Sequence, residues 1–122
     1  MSGQTTDAEP DDAQRGTGCC EVGHSLSEED LADDVQTLAT LGNDTRYEAL
    51  RLIADSDDDV CVCELEPTLG VSQGAVSQAL SRLFSAGLVE RRKEGRWRYY
   101  TATPRAERLL GVLDETRSPD DD

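Results

Sequence analysis

The stretch from Cys61 to Tyr100 constrains the fold more than any other part of the chain, because its hydrophobic period switches from helical to alternating within one short segment. Residues 60–63, Val-Cys-Val-Cys, read as a short extended segment leading into a short helix over Glu64–Leu69, where Pro67 is tolerated only if the helix starts just before it. Gly70-Val71 is a turn. Ser72 then N-caps a clear helix whose Val76, Leu80, Leu83 and Phe84 form the buried stripe, and Gly87 ends it. Leu88–Arg92 reads as a strand, Lys93-Glu94-Gly95-Arg96 as a hairpin turn centred on Gly95, and Trp97–Thr101 as the return strand. Two helices joined by a tight turn form a helix-turn-helix, and the hairpin that follows makes it winged. At least one of Trp97 and Tyr99 is expected to pack against the second helix of that motif.

The flanks supply three more helices. Ser27 is a plausible N-cap, Glu28, Glu29 and Asp30 suit the dipole of a first turn, and Leu31, Val35, Leu38 and Leu41 fall on one face before Gly42. A second helix starts at Asn43 or Asp44 and turns Tyr47, Leu50, Ile53 and Ala54 inward. Asp55 to Asp59 is a solvated loop, since consecutive like charges neither pack nor pair. Thr103 caps a last helix with Pro104 at its first position and Leu109, Leu110, Val112 and Leu113 apolar. With 122 residues, one domain is expected. Its parts are a disordered acidic N-terminal tail, 1–26, carrying a Cys pair, a winged domain, 27–116, and an acidic C-terminal tail, 117–122. The fold class is mainly α (α+β), with about five helices and a two-stranded β-hairpin wing.

A net charge of −14 argues against a nucleic-acid partner until it is mapped. Residues 1–60 carry 16 acids and 3 bases, whereas residues 67–113 carry 8 bases and 3 acids, and no acid lies between Glu66 and Glu90. The acidic chain therefore contains one basic segment, a candidate electrostatic footprint for DNA. The bases are 11 Arg and one Lys, and with the many Asp residues this composition suggests adaptation to high salt. No apolar run approaches the roughly 20 residues of a spanning helix, and the polar N-terminus has no signal-type segment. A cytoplasmic protein with reduced thiols and no membrane partner is the expectation.

In a helix-turn-helix the N-terminal residues of the second helix meet base edges in the major groove of double-stranded DNA. Here these are Ser72, Gln73, Ser77 and Gln78, residue types that bond adenine or contact bases and phosphates. Arg82, one turn further, could reach a phosphate. Arg91, Arg92, Lys93, Arg96 and Arg98 place five bases in eight hairpin positions, a density suited to backbone or minor-groove contact.

The four cysteines form two pairs, Cys19-Cys20 and Cys61-x-Cys63. Thiolates prefer soft ions. In an extended segment residues i and i+2 point to one side, so Cys61 and Cys63 can converge on one ion, while adjacent Cys19 and Cys20 point oppositely. Three thiolates would suit trivalent arsenic or antimony. Four would suit zinc, cadmium or lead. The count decides neither. His24 is the chain's one histidine and reads as a solvated tail residue.

The runs Cys-Val-Cys-Glu-Leu, Ser-Gln-x-x-Val-Ser-x-x-Leu, Ala-Gly-Leu-Val and Arg-Arg-x-x-Gly-x-Trp-x-Tyr-Tyr resemble the arsenic-repressor (ArsR/SmtB) family of metal-sensing winged-helix repressors. With the flanking helices the resemblance covers about residues 28–115. It implies a homodimer through the first and last helices, bound to a two-fold operator with half-sites about one helical turn apart. One departure is Gln78-Ala79, where many relatives carry a basic or His residue. The resemblance also implies that the Cys61/Cys63 box is an inducer site for metalloids or soft metals, completed by an N-terminal cysteine reaching across the dimer, here Cys19 or Cys20. The His-type site of other members, on the last helix, has no counterpart.

The function expected is a repressor, not an enzyme, that releases its operator on binding arsenite or antimonite, with Cd, Pb or Zn as alternative inducers and no organic cofactor. Sensing of redox state or sulfur species by the same thiols is the alternative. A thiol oxidoreductase is remote, because Cys-x-x-Cys in a βαβ context is missing.

Overall fold

The structure, a computed structural model, describes residues 21–117. Cys19, Cys20 and nearly all of both expected tails lie outside them. Five helices and three strands follow in order: α1 (Glu28–Leu41), α2 (Asp44–Ala54), β1 (Val60–Cys61), α3 (Val62–Leu69), α4 (Gln73–Ser85), β2 (Val89–Glu94), β3 (Trp97–Ala102) and α5 (Pro104–Thr116).

Four helices begin at the expected caps. Ser27 accepts from the Asp30 amide at 3.0 Å, Asn43 from Arg46 at 3.0 Å, Ser72 from Ala75 at 3.1 Å and Thr103 from Ala106 at 3.2 Å. The other helix, α3, starts earlier than the sequence suggests. Its N-cap is Cys61, so Val62 and Cys63 are helical and Pro67 lies inside the helix. Gly70 ends α3 in the left-handed region at φ 70°, a conformation that costs a Cβ-bearing residue about 1–2 kcal/mol.

The two-stranded hairpin wing, β2 and β3, is joined at its open edge by the short strand β1. The sheet runs β1-β3-β2 and is antiparallel throughout. Val60 pairs with Tyr100 and Cys61 with Tyr99, so the cysteine box is stitched to the wing. The hairpin turn is Gly95-Arg96, between paired Glu94 and Trp97; β2 runs two residues further toward the tip than expected, and β3 one residue further at its opposite end, to Ala102.

Helix α4 buries Val76, Leu80 and Leu83 against Leu50 and Ile53 of α2, Leu65 of α3, and Leu88 and Val89, and its Ala79 is buried as well. Full burial of each large aliphatic side chain is worth about 1.5–3 kcal/mol. Phe84, expected in this stripe, lies outside it and is 40 % exposed. The wing residue that enters the core is Tyr100, while Trp97 is half-exposed and Tyr99 partly buried. Strand alternation explains this, because Tyr100 shares its sheet face with buried Val89 and Val60.

Helix α1 attaches through its polar side. Thr37 and Thr40 are buried, and the Arg46 guanidinium donates to the Thr40 carbonyl at 2.8 Å. Leu31, Val35 and Leu38 therefore face outward, with Leu38 67 % exposed, and so do Val112 and Leu113 of α5. Arg105 of α5 spans to Asp33 and Thr37 of α1, each at 3.0 Å. Arg51 of α2 pairs with Asp114 of α5 at 2.7 Å and holds that carboxyl below the usual range.

Candidate nucleic-acid interface and thiol site

The two helices of the helix-turn-helix, α3 and α4, are joined by a short turn of three residues, Gly70 to Ser72, after which α4 exposes Gln73, Gly74, Ser77, Gln78, Ser81 and Arg82. All five expected contact residues of this segment, Ser72 included, are exposed. The Ser72 oxygen caps the helix, yet its hydroxyl proton can still be donated. Behind the helix, the buried Val76, Ala79, Leu80 and Leu83 fix the polar face outward.

The five wing bases do not form one patch. Register puts Arg91, Lys93 and Arg98 on the sheet face that carries Val89 and Tyr100, the side that meets α4. The Arg91 guanidinium lies 4.0 Å from the centroid of the Phe84 ring of α4, a cation–π contact that gives the exposed Phe84 a role. Arg92 is on the opposite face. It pairs with Asp59 at 2.8 Å and with Glu94 at 2.9 Å, and these carboxylates push its pKa further upward. The loop expected to be merely solvated thus docks Asp59 on the wing and neutralises one of its five bases. Arg96 is in the turn, with its guanidinium 5.8 Å from the centroid of the Trp97 ring.

Cys61 and Cys63 do come together, but not as alternate residues of a strand. Cys61 is the last residue of β1 and Cys63 lies in the first turn of α3. The Cys61 sulfur accepts the Cys63 amide proton at 3.4 Å, and the Glu64 carboxylate accepts that of Cys61 at 2.9 Å, a reciprocal capping box with sulfur in place of a hydroxyl. Cys61 is buried and Cys63 exposed, both as free thiols. The neighbouring Cys61 sulfur holds the Cys63 thiol above its ordinary pKa, and partial burial and the Glu64 charge add to this. A soft cation would replace the shared proton with its own charge, so two convergent sulfurs fit the chemistry of a thiophilic ion. Among the described residues no third Cys, His, Asp or Glu joins them in a cluster. A third ligand must come from elsewhere, and Cys19 and Cys20 are outside the described residues. His24 is exposed, and its Nδ1 accepts the Leu26 amide at 3.1 Å.

Cys61 and Cys63 line a cleft of about 290 Å³ shared with Glu66, Gln73 of α4 and Arg96, Trp97 and Arg98 of the wing. A second cleft, about 200 Å³, sets Asn43 and Thr45 of the α2 N-terminus beside Gln78 and Arg82 of α4. The placement of Asn43 and Thr45 beside the exposed face of α4 was not read from the sequence. The cap at Asn43 was legible, but its closeness to α4 is tertiary.

The chain matches the sequence model described as "Bacterial regulatory protein, arsR family" over residues 43–91. It is 60% identical over 99 residues to a Halobacterium salinarum protein provisionally named arsenical resistance operon repressor ArsR2, covering 81% of this chain and 83% of that one. Among solved structures, HlyU from Vibrio cholerae is similar at TM-score 0.65 and 30% identity, covering 75% of this chain and 98% of that one. The homodimeric winged helix-turn-helix DNA-binding domain Mb0332 from Mycobacterium bovis is similar at TM-score 0.65 and 26% identity, covering 74% of this chain and 85% of that one. With a relative this similar along most of both chains, an α3–turn–α4 unit and a basic hairpin in place, the chain belongs to the arsR family of bacterial regulatory proteins: it is a winged-helix, DNA-binding transcriptional regulator and not an enzyme.

Proposed function

We propose that this protein is a cytoplasmic repressor that holds a two-fold operator as a homodimer and lets go when a trivalent arsenic or antimony species binds Cys61, Cys63 and a cysteine of the 19–20 pair. The observation that carries the reading is the capping box. The sulfur that would bind the ion is the same atom that starts α3, the first helix of the reading motif. An ion that claims the Cys61 sulfur withdraws the acceptor of the Cys63 amide, loosens the first turn of α3 and tilts α4, which packs on α3 through Leu65. The name of the Halobacterium relative supports an arsenical as inducer.

Ser72, Gln73, Ser77 and Gln78 read base edges in this proposal, while Arg82, Arg91, Lys93, Arg96 and Arg98 contact phosphates. Arg92 contributes only when DNA displaces Asp59 and Glu94. Asn43 and Thr45 border a phosphate path beside Arg82. Two copies join through the outward apolar faces of α1 (Leu31, Val35, Leu38) and α5 (Val112, Leu113), which a lone copy leaves in water. The homodimeric Mycobacterium domain supports that pairing.

Operator affinity measured with and without arsenite tests the function. A typical allosteric coupling weakens binding about 5- to 150-fold. The effect disappears in Cys61→Ser and Cys63→Ser, and an unchanged affinity in the cysteine-intact protein contradicts the proposal.

A further inference from the structure

Cys61 belongs to two structures at once. It is the N-cap of α3 and the last residue of β1, laddered to Tyr99 of β3. Two residues along β3 stands Trp97, which lines the same cleft as Cys61 and Cys63. Trp97 is 49 % exposed, so the core does not require it there. Between Trp97 and Tyr99, β3 carries Arg98, paired across the hairpin with Lys93, while Tyr100 pairs with Arg91. The three bases of the α4-facing side of the wing therefore all lie on the hairpin anchored to Cys61.

These connections give any movement of Cys61 two outlets. Toward α3, Cys61 is held by the two bonds of the capping box, one of which ends on its sulfur. Toward the wing it is held by strand pairing, which does not involve the sulfur. Taking the sulfur onto an ion weakens the first attachment and leaves the second intact. The displacement is then shared with β3, because a hydrogen-bonded ladder moves as a unit. An ion seated on the two sulfurs also occupies the cleft in which Trp97 stands, so the wing must adjust to it directly.

We infer that occupancy of the thiol site releases DNA through the wing as well as through α4, with Trp97 as the positioning residue that couples the cleft to the wing bases. The inference rests on the inducer reading above and adds the route by which the ion acts.

The experiment uses the full chain, sodium arsenite and the operator, with thiolate–arsenic absorption reporting that the site is full. Operator affinity is measured across a salt series with and without arsenite. Withdrawal of Arg91, Lys93 and Arg98 of both protomers from phosphates lowers the slope of log affinity against log salt by roughly 5, at about 0.9 per phosphate. In Trp97→Ala, compared at full occupancy, the arsenite effect on affinity shrinks about threefold or more from a wild-type ratio of about 5–150. Trp97→Phe, which keeps an aromatic ring in the cleft, restores it. Emission of the chain's single tryptophan changes as the site fills. A full site with an unchanged salt slope, and a Trp97→Ala protein coupled as strongly as wild type, overturns the inference while leaving the inducer reading standing. Absence of both thiolate–arsenic absorption and operator release overturns the inducer reading itself, and the inference with it.

Discussion

Substitution of Cys61 separates its work in the empty protein from its work in the loaded one. Its sulfur accepts the Cys63 amide at 3.4 Å, and Cys61 is only 6 % exposed, so little water is on hand to replace that bond. Cys61→Ala deletes the acceptor and leaves a small void. Truncating an N-cap costs about 0.5–2 kcal/mol, and sulfur is a weaker acceptor than a hydroxyl, so the lower half of that range applies. The missing buried atom adds about 0.5–1 kcal/mol. The sum, about 1–2 kcal/mol, lowers Tm by roughly 5–15 °C in an ordered unit of this size. Cys61→Ser keeps the shape and supplies a better cap. Its hydroxyl costs about 1–3 kcal/mol to bury unpaired, but here it is paired with the Cys63 amide, so the net change stays within about 1 kcal/mol. Thermal unfolding followed by circular dichroism, at one protein concentration because dimerisation makes Tm concentration-dependent, measures the order. The account requires Ser and Cys close together, Ala clearly below, and arsenite response lost in both variants. A serine variant that falls as far as the alanine variant refutes the capping role of the sulfur.

Four further outcomes follow. Leu38→Glu places a charge in the proposed dimer face without touching the core, so size-exclusion light scattering reports monomers that keep their helical signal and bind the operator weakly. Asp59→Asn combined with Glu94→Gln frees Arg92 of both protomers for phosphate and steepens the salt slope of operator binding by about 1.8, whereas Arg92→Gln in the wild-type background moves that slope by less. Leu80→Ala, at a fully buried position of α4, costs about 2–5 kcal/mol and melts the domain at markedly lower temperature. The raised pKa of Cys63 means that its proton is still bound at neutral pH, so a divalent cation must expel it, and calorimetric affinity for cadmium climbs as pH rises through and beyond the ordinary thiol range. Arsenous acid instead condenses with thiols, losing one water per As–S bond formed with no net proton while the thiols are protonated, so its affinity stays level below the thiol range and falls once the thiols ionise.

Much of the fold was legible because it is specified locally. Ser27, Asn43, Ser72 and Thr103 cap helices where their side chains demand, and Gly95 at φ 62° turns the hairpin. The unreadable parts are those decided by distant partners. The extended segment at Val60 was legible, but its pairing with β3 and its end at Cys61 depend on the open edge that β3 offers. Cys63 is helical because Cys61 and Glu64 close a capping box, and cysteine is not a residue that usually signals a cap. Phe84 leaves its expected buried place because the packing line of α4 is set by its tertiary partners, which periodicity alone does not locate.

Of the candidate site, the polar face of α4 followed directly from the pattern of its buried residues. The division of the wing bases did not. It depends on the register of β2 with β3 and on Asp59, a residue far from the wing in sequence. The chain's acidity did not reveal its partner either. In a highly saline cell the Debye length falls to about 3 Å at 1 M, and counterion release drives little binding. The base contacts proposed for Ser72, Gln73, Ser77 and Gln78 then carry more of the recognition.

The most direct test of the central claim is a titration of the intact dimer on fluorescent operator DNA at fixed salt, repeated at increasing arsenite. The account predicts tight binding without arsenite, a fall in affinity of about 5- to 150-fold as the thiol site fills, and no fall in Cys63→Ser. Affinity that holds constant while thiolate–arsenic absorption saturates contradicts it.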